Sequence, residues 1–426
     1  MKINQKIVRL IAVLLLVIFT TFSMSSCLLV NYLLYEDLFE EDFESGSNNG
    51  NGGGNNQKPD NGDNNQNQTD NNQNPSDNIG EFYPGSGEGN IDNVAPIKQS
   101  LLSTVIVVAE FGTTASAGSG VFYKVDKTTG DAYIITNQHI VYSEKGISNK
   151  IRIYLYGMEL DTYAIDASFV GGSVTYDIAV LKITGSEVIK NSYAKAVTLG
   201  KSNEVQVFDT VYAVGNPEAY GISATRGIVS VLSETIDLEG ADGSGVSLRV
   251  MRTDAAVNHG NSGGGLYDES GRLIGIVSAK TPGADVEGLG YAIPIDLVKN
   301  LADNILYYCD GQANTKLNRA LMGITITAYV KGIVIDPENG DIIEKELVEV
   351  SEVSATGIAN GKVLVGDIVN SITVDGVKVD ATQVHSVPEH MLNARIGSVV
   401  VMNVTRGNQN LDITFIITPE CVTQVK

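Results

Sequence analysis

The sequence predicts a mainly β chain, folded as two domains behind an unstructured N-terminal stretch. Three observations carry this. The β-branched, apolar runs Tyr133-Ile134-Ile135 and Ile178-Ala179-Val180-Leu181-Lys182-Ile183 have the length and composition of buried strands. Residues 45 to about 94 are dominated by Asn, Gly, Asp and Gln and have nothing with which to bury a core. The remainder, from residue 96 to 426, is long enough for two or three domains. A helix-period segment, Ile295-Asp296-Leu297-Val298-Lys299-Asn300-Leu301 continuing to Ile305-Leu306, closes the first of them, and polar residues after Gly311 read as a linker.

At the N-terminus, Lys2, Lys6 and Arg9 precede the apolar run Leu10 to Phe22, the layout of an export signal. Met24-Ser25-Ser26-Cys27 ends it. Small residues before a cysteine resemble a bacterial lipobox, with Met24 standing where leucine is usual, and processing there leaves Cys27 as a lipidated N-terminus of a lipoprotein. The alternative is an uncleaved anchor, because apolar residues resume after Cys27 and run to Leu34, long enough in total to span a bilayer. Both readings attach the chain to a membrane and place the rest outside the cytoplasm, basic end inside. Residues 28–95, acidic and then Asn/Gly-rich, are expected to be a disordered tether, about 50 residues of which span roughly 40 Å. The net charge of −21, with no basic patch, argues against a nucleic-acid partner. Of three cysteines, Cys309 and Cys421 either pair or stay free once Cys27 is lipidated. No His/Cys cluster has metal-ligand spacing, so neither a metal nor another cofactor is expected.

The chemistry is concentrated in three short stretches. Gly260-Asn261-Ser262-Gly263-Gly264 sets a serine between small residues, as a nucleophilic hydroxyl on a tight turn requires. The N–H groups of Gly260 and Ser262, with Asn261 between them, are suited to hold a developing oxyanion. Serine needs a base within hydrogen-bond reach. Four histidines exist: His139, His259, His385 and His390. His259 is three residues from Ser262 and poorly aimed at its hydroxyl. His139, in Ile135-Thr136-Asn137-Gln138-His139-Ile140-Val141, follows a buried strand and sits where that strand ends in a loop. Asp177, in Tyr176-Asp177-Ile178-Ala179-Val180-Leu181, sits at a loop-to-strand junction suited to orienting the imidazole, and Gly171 to Thr175 offer no competing acid.

With the motifs in the order His, Asp, Ser, the chain resembles an HtrA/Deg-type serine protease. Gly215-Asn216-Pro217, Gly227-Ile228-Val229-Ser230, Arg252-Thr253-Asp254-Ala255-Ala256, Gly271-Arg272-Leu273-Ile274-Gly275-Ile276 and Gly290-Tyr291-Ala292-Ile293-Pro294 extend the likeness over roughly residues 96 to 420. It implies a trypsin-like double β-barrel protease domain at 96–310 and a smaller α+β PDZ domain at 319–420. It implies His139, Asp177 and Ser262 as catalytic residues and Gly260, Asn261 and Ser262 as the oxyanion hole. The base of the specificity pocket falls on Ala256, with Leu289 and Gly290 in its wall. This neutral pocket suits small or medium aliphatic side chains, unless Leu289 simply packs in the barrel. Leu321-Met322-Gly323-Ile324 matches the loop that takes a peptide's terminal carboxylate on backbone N–H groups. Val363-Leu364-Val365-Gly366-Asp367-Ile368-Val369 with Asp375-Gly376, Gly397-Ser398-Val399-Val400-Val401 and Thr405-Arg406-Gly407 match later PDZ strands.

Two departures stand out. Gly265 replaces a proline usual after the paired glycines and is expected to loosen that turn. The stretch Asp336 to Glu349 is longer and more acidic than a tight hairpin needs. The resemblance implies an envelope-anchored endopeptidase acting on misfolded or damaged exported proteins, with the PDZ domain binding unfolded segments or C-termini. It also implies a homotrimer formed near Val94 to Gln99. The alternative is a catalytically weak or inactive protease-fold binding protein or holdase. An esterase is disfavoured, since no strand-to-helix nucleophile elbow is present.

Overall fold

The computed structural model describes residues 93–158, 163–279, 288–309, 317–335, 337, 340 and 342–425. The readings of the export signal, Cys27 and the tether lie outside them. Among the described residues no helix is long and apolar enough to cross a membrane.

After a short helix α1 (Pro96–Ser103), six strands form a closed antiparallel barrel: β1 (Thr104–Phe111), β2 (Thr114–Asp126), β3 (Asp131–Thr136), β4 (Lys150–Leu155), β5 (Ile165–Ser173) and β6 (Ile178–Ile183). Neighbours run β1-β2-β3-β6-β5-β4, and β1 pairs with β4 to close the ring. The continuous apolar runs follow from burial on both faces. Ile134 and Leu181 point into this barrel with Val105, Val107, Phe122 and Ile153. Ile135, Ile178 and Val180, one step along the same strands, enter a second core outside it.

That second core is shared with six longer strands, β7 (Thr210–Gly215), β8 (Ser223–Glu239), β9 (Gly245–Thr253), β10 (Gly265–Asp268), β11 (Arg272–Ser278) and β12 (Gly290–Pro294), and the two-residue strand Thr198–Leu199 lies parallel beside β11. They run β10-β7-β8-β9-β12-β11, and β10 pairs with β11 to close this ring too. Val211, Val229, Met251, Leu266 and Ile274 pack together in a further core cluster. Helix α2 (Gln138–Val141) is a single turn after β3, and α3 (Ile295–Tyr308) buries Leu297, Val298, Leu301, Ala302 and Ile305 in the shared core.

The C-terminal part begins with β13 (Leu317–Ala320), followed by β14 (Ile324–Ile335), β15 (Ile342–Val353), β16 (Ile368–Val374), β17 (Val377–Asp380), helix α4 (Ser386–His390), β18 (Val399–Arg406), β19 (Gln409–Ile416) and β20 (Val422–Val425). The main sheet is β14-β15-β16-β18-β19, with β17 beside β16; β13 pairs with β20. Its own core holds Val348, Val350, Val369, Ile372, Val400, Met402 and Phe415. This unit is docked on the barrels through specific contacts. Leu317 and Leu392, both essentially inaccessible, join the core shared by the barrels and α3, and full burial of one such leucine contributes about 1.5–3 kcal/mol. Asn304 of α3 donates through Nδ2 to the carbonyls of Asn318 and Leu392, each at 2.9 Å. Arg249 of β9 meets the Glu389 carboxylate with two bonds of 2.6 Å, from Nε to Oε1 and from Nη2 to Oε2. Cys309 and Cys421 carry free thiols.

Candidate active site

β3 ends at Thr136, and the one-turn helix α2 carries His139 away from it. The imidazole Nδ1 lies 2.8 Å from Asp177 Oδ2, and the backbone N–H of His139 donates to Asp177 Oδ1 at 3.0 Å. One carboxylate thus fixes both the ring and the backbone of the same residue. Asp177 is held in turn by Asn137, whose Nδ2 donates to its carbonyl at 2.8 Å. The turn that delivers it closes with Asp177 N–H on Val174 O at 3.3 Å and puts Asp177 at φ 50°. A non-glycine residue there is uncommon, and Asp is among the few that tolerate it. The carboxylate is almost fully buried.

Ser262 sits on the loop between β9 and β10. Its hydroxyl accepts from the Ala279 N–H at 3.1 Å, and no hydrogen bond joins it to His139. The two elements are nonetheless neighbours. A Cβ added at Gly118 of β2 would lie 2.7 Å from the Ile140 side chain and 3.1 Å from the Ser262 carbonyl, so only glycine lets the His139 helix and the serine loop close on β2 together. Gly260, at φ 90°, has the Asn216 carbonyl 2.2 Å from where a Cβ would stand, which excludes any side chain. Among the described residues the N–H groups of Gly260 and Ser262 have no protein acceptor, while that of Asn261 donates to Asn258 O at 3.1 Å. Asn261 therefore does not offer its N–H beside the other two.

The residue that pins this loop is one the sequence reading passed over. Ser119 of β2, fully buried, donates its N–H to Ser262 O at 2.8 Å and its hydroxyl to Gly260 O at 2.7 Å. The same hydroxyl accepts from Asn216 N–H at 2.8 Å, and Thr136 Oγ1 donates to the Ser119 carbonyl at 2.6 Å. All of its hydrogen-bonding groups are used, and they connect the first barrel to the serine loop of the second. The signal was a serine flanked by Gly118 and Gly120, which marks a close approach of backbones.

Other expected positions fall differently. Ala256 is exposed, and its carbonyl accepts from Thr225 Oγ1 at 2.8 Å. Leu289 packs against the core shared by the barrels, and Gly290 is buried opposite Thr253. Residues 280–287, which precede Leu289 and Gly290 in the chain, lie outside the described residues. His259 is exposed and offers its carbonyl to Glu218 N–H. Gly265 is not a loose turn: it pairs with Val214 and Ile276, and a Cβ there would meet the Tyr267 ring at 2.4 Å. In the C-terminal unit, Leu321, Met322, Gly323 and Ile324 line a shallow cavity with Thr325, Glu352, Val353 and Ser354. Leu321 N–H donates to Cys421 O, whereas the N–H groups of Met322 and Gly323 have no protein acceptor among the described residues. No group of His, Cys, Asp and Glu among those residues has the geometry of a metal site.

A trypsin-like peptidase domain family matches residues 118–276. The serine protease Do-like HtrB of Bacillus subtilis is 35% identical over 253 residues, covering 55% of this chain and 50% of the relative. The serine protease Do-like HtrA of Lactobacillus helveticus is 31% identical over 311 residues, covering 70% of this chain and 68% of the relative. The chain thus spans about half the length of some relatives and two thirds of others. Among solved structures, an HtrA-type protease AlgW with a tripeptide superposes with a TM-score of 0.50 at 25% identity, covering 78% of this chain and 97% of that one.

Proposed function

The chain belongs to the HtrA family of serine proteases, and we propose that it acts as an envelope-anchored serine endopeptidase on misfolded or damaged exported proteins. The observation that carries the reading is the double hold of Asp177 on His139, at the ring and at the backbone, beside a serine loop pinned by Ser119. With Nδ1–H directed at the carboxylate, Nε2 is the nitrogen left to take the Ser262 proton. Asp177 then stabilises the imidazolium, and the free N–H groups of Gly260 and Ser262 receive the oxyanion of the tetrahedral intermediate. The Ser262 oxygen accepts from Ala279 N–H, which leaves its own hydrogen free to be donated to Nε2. An uncharged Ala256 region suits small or medium aliphatic side chains before the cut. We further assign residues 319–420 as a PDZ domain, on its sheet and helix order and the unpaired N–H groups at Met322 and Gly323, with unfolded segments or C-termini as its ligands. Membrane attachment through Cys27 or an uncleaved anchor, and trimer formation near Val94 to Gln99, complete the proposal.

The test is casein turnover by the purified protein and by His139→Ala, Ser262→Ala and the double variant. Each single change should lower kcat by about a thousandfold or more, and the double should lose no more than the worse single, because the residues act as a unit. Turnover that survives in Ser262→Ala would remove the assignment. Suppression of casein aggregation without turnover in the unmodified protein would favour the holdase reading.

A further inference from the structure

Gln138 is the first residue of α2, next to His139 in the chain, and it is completely inaccessible. Glutamine is mostly a surface residue, and a buried carboxamide is ordinarily hydrogen-bonded. Here neither Nε2 nor Oε1 has a protein partner among the described residues. The amide stands against Gly172 of β5. A Cβ at Gly172 would overlap Gln138 Oε1 and lie 2.8 Å from its Cδ and 2.9 Å from the Ile178 carbonyl oxygen. The strand is therefore bare at the spot the carboxamide takes. It is also irregular there, because the register with β6 shifts between Phe169 and Gly171. β5 and β6 are the two arms of the hairpin whose turn ends in Asp177, with Gly172 set opposite Ala179. Gln138 thus lies at the root of the hairpin that delivers the carboxylate. Asn137, one residue earlier and also fully buried, donates through Nδ2 to Asp177 O. Its Oδ1 likewise has no protein partner among the described residues.

Three buried polar atoms on the two residues before His139 therefore lack a protein partner. Left dry, they destabilise the fold, and a leucine of similar shape at position 138 would serve it better. Internal water is the usual partner of such groups, each molecule bonding to several polar atoms at once. We propose that Gln138 is a positioning residue for the His139–Asp177 pair, its carboxamide bound to internal water that it shares with the backbone at the root of the β5–β6 hairpin and with Asn137 Oδ1. His139 rides on α2 and Asp177 on the hairpin turn. A wetted contact between helix and hairpin root fixes one relative to the other, in addition to the direct bonds of 2.8 and 3.0 Å. Gln138 acts through the pair and not on the substrate. The proposal rests on reading His139 and Asp177 as the catalytic base and its orienting acid.

Gln138→Leu and Gln138→Met keep most of the volume and remove the hydrogen-bonding atoms. In the full chain each should lower kcat for casein and for a short peptide by about tenfold, with KM within about twofold of the unmodified protein. The rate at which a fluorophosphonate labels Ser262 should fall with kcat. The low-field proton resonance of the His139–Asp177 bond should broaden or vanish. A leucine variant whose kcat stays within about twofold overturns the proposal, whatever its melting temperature. So does a fall in kcat with the resonance and the labelling rate unchanged, since the pair is then undisturbed. A crystal structure of Ser262→Ala, with Gln138 intact, covers the case in which neither variant folds. It should show ordered water within hydrogen-bond distance of the carboxamide, and an amide bonded to protein alone, or to nothing, overturns the proposal. Turnover that survives in Ser262→Ala would instead remove the catalytic reading on which the role of Gln138 rests.

Discussion

Ser119→Ala isolates the clamp between the barrels. The change removes one oxygen and leaves the Cβ, so packing is nearly conserved. Two hydrogen bonds go with it, the donation to Gly260 O at 2.7 Å and the acceptance from Asn216 N–H at 2.8 Å. Asn216 is fully buried. Each orphaned group costs about 1–3 kcal/mol, so the variant should lose about 2–6 kcal/mol in total. Some of this appears as lower global stability and some as release of the loop that holds Ser262. If about 1.4 kcal/mol falls on the loop, the productive arrangement becomes tenfold rarer, and more if the share is larger. The expected result is a fall in kcat of about ten- to a hundredfold with KM changed little, because the loop aligns reacting groups and does not carry the bulk of substrate contact. Casein and peptide kinetics with a thermal melt measure both parts. Ser116→Ala on the same strand, whose hydroxyl has no partner among the described residues, serves as the matched control. A Ser119→Ala protein with kcat within twofold of the unmodified one, and an unchanged melt, would show that the clamp does not position Ser262.

Arg249→Ala leaves Glu389 buried without its partner and should cost about 3–5 kcal/mol in urea unfolding, whereas Arg249→Leu with Glu389→Leu should cost much less. His385, beside that pair, has its pKa pushed down to about 3 by burial, with Arg249 and Lys331 adding to it. The folded protein therefore keeps it neutral while the unfolded chain protonates below about pH 6.5. Its contribution is complete above that pH and is lost as pH falls toward 3, at up to about 1.4 kcal/mol per unit. The difference in melting temperature between the unmodified protein and His385→Asn should close on acidification from pH 7 to pH 4; a constant difference refutes this. Gly265→Ala places a Cβ 2.4 Å from the Tyr267 ring and should destabilise by about 1–3 kcal/mol, with a smaller loss when Tyr267→Leu makes room; a neutral single variant refutes it.

The strands around His139 and Asp177 were legible because each is a short apolar run buried on both faces. The helix from Ile295 was legible because its apolar positions repeat at three and four residues. The meeting of His139 and Asp177 followed from motif order. The clamp at Ser119 was not legible in the same way. Its partner Gly260 is 141 residues away, and nothing in the local pattern of β2 selects one distant carbonyl over another. Gly265 misled for a related reason. Its neighbours in sequence suggested a turn, while its role is to make room for Tyr267, two positions on, between two strands that arrive from elsewhere in the chain.

The docking of the C-terminal unit was the largest feature hidden from the sequence, and it bears on the site. A linker reading invites the picture of a domain that swings freely. The contacts argue for a fixed one: Leu392 is buried in the core of the barrels, Asn304 holds two carbonyls of the incoming chain, and Glu389 is held by Arg249. Tyr176 lies on the edge of that same core, and the charges of Arg319, Glu389 and Arg249 act on its phenol, whose pKa burial raises. Its neighbour in the chain is Asp177, delivered at φ 50° by a turn with little freedom. Turnover in Arg249→Ala measures whether loosening the contacts of the C-terminal unit near Tyr176 reaches the neighbouring carboxylate that orients His139: a kcat equal to that of the unmodified protein would show that it does not.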